Sequence, residues 1–346
     1  MKIAHVGKNL ANVPYSFCKA SRQAGLDADA YIGAISNPAE DPEEYPGWLH
    51  YSKGKLTSFS KFSLLKSLRS YDLLHTYAGA SKYAQFLGKP FIFYATGSDL
   101  HEIPYQSGIS GALMRRSLKK AKKVLFSNAN LLRDISAFNL KEKSVFIPQP
   151  MDTQSYGSAK PEIFKGDYDL VVFHPTRQHW RMKGNDVFLR AFARASKKKK
   201  MLLLMHEWGD DLQNSRQLVK QLGIGASVRF LPLTTLHSFY SRMAGVDLVA
   251  DQFVLGSMGL VTLGAMAAGK PVIVSIDEKT HRSCYPDKVP VLNASTEEEI
   301  YQLLISLNKS KCSELGKAAQ AWILKNHSYS AVSSQLIGIY KELGLC

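Results

Sequence analysis

Short apolar runs alternate with longer stretches of helical period along almost the whole chain. Lys2–Gly7 opens the pattern as a strand. Tyr15–Ala24 then places apolar residues at helical spacing and closes on Gly25, the residue type that ends a helix at positive φ with least strain. Ala28–Ile32, Leu73–His75, Phe91–Ala95, Val124–Ser127 and Val145–Ile147 read as further strands. A second series follows with Leu170–His174, Met201–Met205, Val228–Leu231, Asp247–Ala250 and Val272–Ser275. Asn185 or Asp186 can cap a helix running to Ala195. Leu260–Ala268 reads as another, stopped by Gly269-Lys270-Pro271, and Asn326–Leu343 as the last. Strands apolar at nearly every position, with helices between them, predict parallel sheets covered on both faces.

Pro148-Gln149-Pro150 and the polar stretch Thr153–Gly166 divide the two series, and read as a linker. A length of 346 residues suits two domains of about 150 each. The fold class predicted is therefore α/β, two Rossmann-like domains facing each other across a cleft. Ligands of such sheets bind at the carboxyl ends of the strands.

Composition narrows the class. Hydrophobic residues make up 45% and charged residues 21%, which excludes a disordered chain. No apolar run approaches the roughly 18 residues of a membrane span, and the first residues lack a signal peptide's long apolar region, so a cytoplasmic location is expected. Cys18, Cys284, Cys312 and Cys346 lie far apart without a C-x-x-C pair, as ordinary reduced thiols would. His174, His179 and His206 do not form a metal spacing, so no metal and no cofactor is expected.

Charge changes the picture more. Forty-four Lys and Arg against 29 Asp and Glu leave +15, a balance that favours phosphorylated ligands or anionic surfaces. Tyr51–Ser127 alone carries 13 basic and three acidic residues. Within it, a helix over Ile109–Ala121 would align Met114, Leu118 and Ala121 beside Arg115, Arg116, Lys119 and Lys120. That stripe either packs on the sheet or docks on the cytoplasmic face of an anionic membrane as a peripheral contact. Nucleic acid is not expected as a partner, since charge is the one feature in its favour.

The candidate chemistry lies in loops after strands. Arg177 and Lys183 follow the strand Leu170–His174, with Gly184 leaving the backbone open to close approach. Two cations there suit a phosphate or diphosphate. Leu255-Gly256-Ser257-Met258-Gly259 opens the helix that begins at Leu260, where free N–H groups bind anions. Glu207, after Met201–Met205, either lines the same cleft or lies plainly on the surface. In the first half, Thr96-Gly97-Ser98-Asp99 ends a strand on the cleft side. Asp99 either contacts a sugar hydroxyl or caps the next helix. Gly7-Lys8-Asn9-Leu10-Ala11-Asn12 lacks G-x-G-x-x-G, which argues against a dinucleotide.

These motifs together resemble the retaining glycosyltransferases of family 4, which have the GT-B fold. Asn9-Leu10-Ala11-Asn12-Val13-Pro14-Tyr15 resembles the family's first loop, and Thr96-Gly97-Ser98-Asp99-Leu100 its Gly-Ser-Asp-Leu turn. Arg177 and Lys183 match its donor-diphosphate pair. Gly264-Ala265-Met266-Ala267-Ala268-Gly269-Lys270-Pro271-Val272-Ile273 matches its nucleotide-site helix and strand except at Gly264. Two glutamates eight residues apart are usual in the family, and Gly256 and Gly264 stand in their places.

The resemblance implies an acceptor domain over residues 1–155, a donor domain over 156–325, and a helix over 326–346 crossing back to the first. It implies transfer of a sugar from a nucleoside-diphosphate sugar to a glycan or lipid-linked acceptor. Arg177, Lys183 and Asp99 would be catalytic. Gly184, Gly256, Ser257, Met258, Gly259, Leu260, Gly264 and Glu207 would bind the donor. Gly7, Asn9, Asn12, Thr96, Gly97 and Ser98 would lie on the acceptor side. The alternative is a non-catalytic GT-B protein that binds a nucleotide sugar, a glycan or a partner enzyme.

Overall fold

The structure is a computed structural model that describes residues 1–346 apart from 34, 36, 37, 43, 52–63, 345 and 346. Lys53, Lys55 and Lys61 of the basic segment, and Cys346, lie outside the described residues. The chain forms two compact units, Met1–Met151 with Asn326–Cys346, and Asp152–Lys325.

The first unit holds a parallel sheet of β1 (Lys2–Gly7), β2 (Asp27–Ile32), β3 (Leu49–Tyr51), β4 (Leu73–Tyr77), β5 (Phe91–Ala95), β6 (Lys123–Phe126) and β7 (Ser144–Phe146), in the order β3-β2-β1-β4-β5-β6-β7. The second holds β8 (Leu170–His174), β9 (Met201–His206), β10 (Val228–Leu231), β11 (Leu248–Ala250), β12 (Val272–Val274) and β13 (Leu292–Asn293), in the order β10-β9-β8-β11-β12-β13. Both are doubly wound sheets, and the strand order reverses between β1 and β4 and between β8 and β11. All five residues of β5 and of β8 are buried, as continuous apolar strands between two helix layers must be.

The first core joins β1, β2, β4 and β5 to Phe17 and Cys18 of the Val13–Gln23 helix. Val332, Leu336, Ile339 and Tyr340 of the Tyr329–Glu342 helix complete it. His5 and His75 lie inside this core, fully buried. His5 Nδ1 pairs with Tyr77 Oη at 2.7 Å, and His75 Nδ1 with Tyr340 Oη at 3.2 Å.

Three expectations need correction. The stretch Thr153–Gly166 is not all linker: Thr153–Ser158 is helical, with Asp152 accepting from the Ser155 N–H as its cap and Tyr156 buried. The last helix does not run through from Asn326. A 19-residue helix, Lys309–His327, precedes it, and Ser328 restarts the chain by accepting from the Ala331 N–H. The Ile109–Lys120 helix turns its apolar stripe inward. Met114, Leu118 and Ala121 are at most 4% exposed, so the stripe is buried and is not open to lipid insertion. Arg115 is likewise occupied, donating to the Pro104 and Gln106 carbonyls, whereas Arg116, Lys119 and Lys120 keep their exposure. No described helix is long and apolar enough to cross a membrane.

Candidate active site

In the second unit, the strand reversal sets the loop after β8 beside the loop after β11. β8 ends at His174, and Pro175-Thr176-Arg177 leave its carboxyl end. β11 ends at Ala250, and Asp251-Gln252 leave beside them. His174 ties the strands together: its Nδ1 donates to the Ala250 carbonyl at 2.9 Å and its Nε2 accepts from Asn185 Nδ2 at 2.9 Å. Burial lowers its pKa to about 4, so the ring is neutral and this tautomer is kept. Asn185 also accepts from the His179 N–H, so it fixes the loop, and Gly184 rather than Asn185 or Asp186 stands at the N-cap of the Asn185–Ala195 helix.

Lys183 ends the short helix Trp180–Lys183. Its Nζ donates to Gln252 Oε1, while Gln252 Nε2 donates to the Ser257 carbonyl at 2.5 Å. Gln252 is 2% exposed, so a buried amide holds the cation on one side and the glycine loop on the other. Burial keeps the Lys183 ammonium below the usual lysine range; Asp251 opposes that shift and Arg177 adds to it. The basic pair therefore shares one electrostatic environment. Backbone links close the frame: the Phe253 N–H donates to the Lys183 carbonyl at 2.8 Å. Gly184, at φ +68°, leaves just enough room for Phe253, whose Cβ would stand 3.0 Å from an added methyl.

Asp251 is the second buried fixture. One carboxylate oxygen accepts from Thr176 Oγ1 at 2.8 Å, the other from Thr262 Oγ1 at 2.7 Å and the Thr262 N–H at 3.2 Å. It thus pins the start of the Leu260–Ala267 helix to the β8 loop, and no side chain caps that helix at Gly259. Thr176, Asp251, Gln252 and Thr262 were not singled out from sequence, although two polar residues directly after an apolar strand at the reversal were a usable signal.

The expected donor residues Arg177, Lys183, Gly184, Gly256, Ser257, Met258, Gly259 and Leu260 lie in these two adjoining loops. Gly256 has φ +64°, a left-handed conformation that a glutamate there would strain. Gly264 sits inside the Leu260–Ala267 helix, and a Cβ on it would lie 2.7 Å from Tyr156 Oη. The tyrosine fills the place of any side chain at 264. Of the two readings of Glu207, the structure shows the surface one: its exposed carboxylate pairs with Arg216 at 2.6 Å, on the neighbouring Leu212–Gln221 helix. Among the described residues, no group of His, Cys, Asp and Glu could hold a metal ion.

In the first unit, the loops after β1 and β5 leave the same sheet edge, with β4 between them. Gly7 is required there because a Cβ would meet Tyr77 Cβ at 2.7 Å. Asn9 Nδ2 donates to Asn12 Oδ1 and to the Glu40 carbonyl, folding the loop while Ala11 and Asn12 adopt positive φ. Asp99 is 1% exposed and accepts from the Thr96 and Gly97 N–H groups at 2.8–3.0 Å and from Thr96 Oγ1 at 3.2 Å. Its carboxylate is spent on building the turn, which corrects both the expectation of a sugar contact and that of a helix cap; Gly97 holds the cap position. Ser98 stays exposed at the turn.

The geometry is that of two doubly wound units, with a basic pair held at the reversal point of the second, where such sheets bind ligands. Residues 159–321 match the family model described as glycosyl transferases group 1. The match lies within the second unit and supports a glycosyltransferase. No curated protein is significantly similar to the chain in sequence.

Solved structures of similar fold span both chains almost completely. The HepE protein (Alr3699) of Anabaena, in complex with UDP-glucose, is 15% identical at a TM-score of 0.74, covering 99% of this chain and 100% of its own. Sucrose-phosphate synthase from Thermosynechococcus elongatus is 16% identical at 0.72, covering 99% of each. A glycosyltransferase from Rickettsia africae is 14% identical at 0.67, covering 99% and 98%. Identities this low establish the fold, which is the GT-B pair of Rossmann-like domains.

Proposed function

We propose that this chain is a retaining glycosyltransferase of the family 4 type that takes its sugar from a nucleoside-diphosphate sugar. The observation that carries the reading is the Arg177–Lys183 pair at the β8–β11 reversal, with Lys183 held by the buried amide of Gln252. The complex of UDP-glucose with HepE makes a uridine diphosphate sugar the first donor to test. In the reaction proposed, the sugar–phosphate bond breaks as the acceptor hydroxyl attacks from the same face, and the departing diphosphate takes the hydroxyl proton. Arg177 and Lys183 then stabilise the growing phosphate charge, an electrostatic role that needs preorganisation more than a side-chain base. The acceptor, a glycan or a lipid-linked sugar, would meet the loops of Gly7–Asn12 and Thr96–Ser98. Exposed Arg116, Lys119 and Lys120 would add electrostatic attraction to an anionic membrane face.

Calorimetry with a panel of nucleoside diphosphates tests this. One base should bind, and Arg177→Ala or Lys183→Ala should each weaken it about ten- to hundredfold, the worth of one charge-assisted hydrogen bond at roughly 1.5–3 kcal/mol. Equal binding by the folded variants would remove the assignment. A second reading, a GT-B protein that binds a nucleotide sugar without turning it over, is favoured by Tyr156 filling the space beside Gly264. Donor binding without release of nucleoside diphosphate across a set of acceptors would select it.

A further inference from the structure

The first unit carries a half-open cavity of about 650 Å³, lined by its own residues. Its wall is apolar, with Val6, Ile32, Leu68, Leu74 and Leu87 contributing. Two polar side chains on that wall are already partnered. Thr76 Oγ1 donates to the Ile92 carbonyl at 2.8 Å and meets Ser81 Oγ at 2.9 Å, and Tyr31 Oη pairs with Tyr71 Oη at 3.0 Å. A bare sugar would find these two hydroxyls already engaged and a mostly apolar wall around them. The lining includes Lys8, which is exposed, together with His50 and Tyr83, the last 62% exposed. Beyond Tyr83, Phe86 is 60% exposed with the Arg116 guanidinium 5.7 Å from its ring centre. Lys8, like the surplus of basic residues over Tyr51–Ser127, is complementary to negative charge.

We infer that this cavity holds the aliphatic tail of an anionic amphiphile, with its phosphate head at Lys8 beside the carboxyl end of β1. A pocket of this volume, mostly apolar with a few polar groups to fix orientation, is of the kind that buries a small ligand. The inference rests on the transferase reading in one respect, since it makes the acceptor an amphiphile. The binding itself needs no donor.

The test is calorimetry with octyl, decyl and dodecyl phosphate below their aggregation limits, with dodecyl glucoside and inorganic phosphate as the other arms. Affinity should rise several-fold with each two carbons, up to about fifteenfold at the full worth of roughly 0.8 kcal/mol per CH₂. Lys8→Gln should weaken dodecyl phosphate several-fold and leave dodecyl glucoside unchanged. Ala84→Trp, which fills the cavity from a lining residue 4% exposed, should lose binding at least tenfold. Where Ala84→Trp fails to fold by circular dichroism, Leu65→Asp, at a position 37% exposed, is read in its place. Affinity independent of chain length, or unchanged in the folded cavity variant, overturns the assignment. Inorganic phosphate binding as well as dodecyl phosphate does so too. Nucleoside diphosphate binding, measured on the same samples, fails separately if the donor reading is wrong.

Discussion

Gly264 offers the most direct test of the structure because two effects there have opposite signs. Glycine inside a helix is about 0.8–1.0 kcal/mol less favourable than alanine, so Gly264→Ala should stabilise an otherwise open position. The position is not open. An added Cβ would lie 2.7 Å from Tyr156 Oη, 3.0 Å from Cζ and 3.1 Å from Cε1. Tyr156 cannot swing away freely: it is 7% exposed, and its ring centre is 4.3 Å from that of Tyr240. Overpacking of this kind costs about 1–3 kcal/mol, so Gly264→Ala should be destabilising by up to about 2 kcal/mol. In a Tyr156→Leu background the obstruction is gone, and the same change should stabilise by about 1 kcal/mol. Urea unfolding followed by tryptophan fluorescence measures this, since Trp180, Trp208 and Trp322 lie in the second unit and Trp48 in the first. A coupling energy of about 1–3 kcal/mol between the two sites is expected. If Gly264→Ala stabilises the unmodified protein by its full propensity, or acts equally in both backgrounds, the packing argument is refuted.

Two further predictions concern buried polar groups. Asp251→Ala strips partners from Thr176 and Thr262 and should lower second-unit stability by at least about 2 kcal/mol, while weakening nucleoside diphosphate binding; an unchanged urea midpoint would count against its pinning role. Burial lowers His5 and His206 to about 3 and His174 and His327 to about 4, from an ordinary 6.5, so all four are neutral in the folded chain. Their contribution is full above about pH 6.5 and falls as the pH drops towards 4, because the unfolded chain takes up protons that the folded chain refuses. Urea midpoints should therefore decline between pH 7 and pH 5, and a flat profile would show that these rings are not the buried neutral groups described.

Most strands were legible from their apolar residues, and Leu170–His174 and Phe91–Ala95 fall where hydrophobicity put them. β3 and β13 were not, being three and two residues long with little apolar signal of their own. The break at Ser328 was hidden for a different reason. Helical periodicity continues across it, and what ends the first helix is tertiary: His327 is buried, its Nδ1 donating to the Gln149 carbonyl at 2.8 Å. Arg177 and Lys183 could be read from charge after a strand. Asp99 and Glu207 could not be resolved that way, because a carboxylate in a loop looks the same whether it meets a ligand, its own turn or Arg216.

The glycines at 256 and 264 show how far such reading reaches. From sequence, each is a missing glutamate, and the pair together reads as one loss. In the structure they have separate physical causes. Gly256 is set by backbone conformation, and an added Cβ there would meet no atom closer than 3.8 Å. Gly264 is set by packing against a helix more than 100 residues earlier in the chain, one that the polar composition of Thr153–Gly166 disguised as linker. Restoring a glutamate at 264 alone would therefore test Tyr156 as much as any ligand contact. A Gly264→Glu variant without donor binding would say nothing about catalysis unless Tyr156 had been made smaller first. The informative pair is Gly264→Glu with Tyr156→Leu, against Tyr156→Leu alone. A gain in nucleoside diphosphate affinity there would show that the site has kept the geometry for a carboxylate it no longer carries, and no gain would show that the helix now serves packing only.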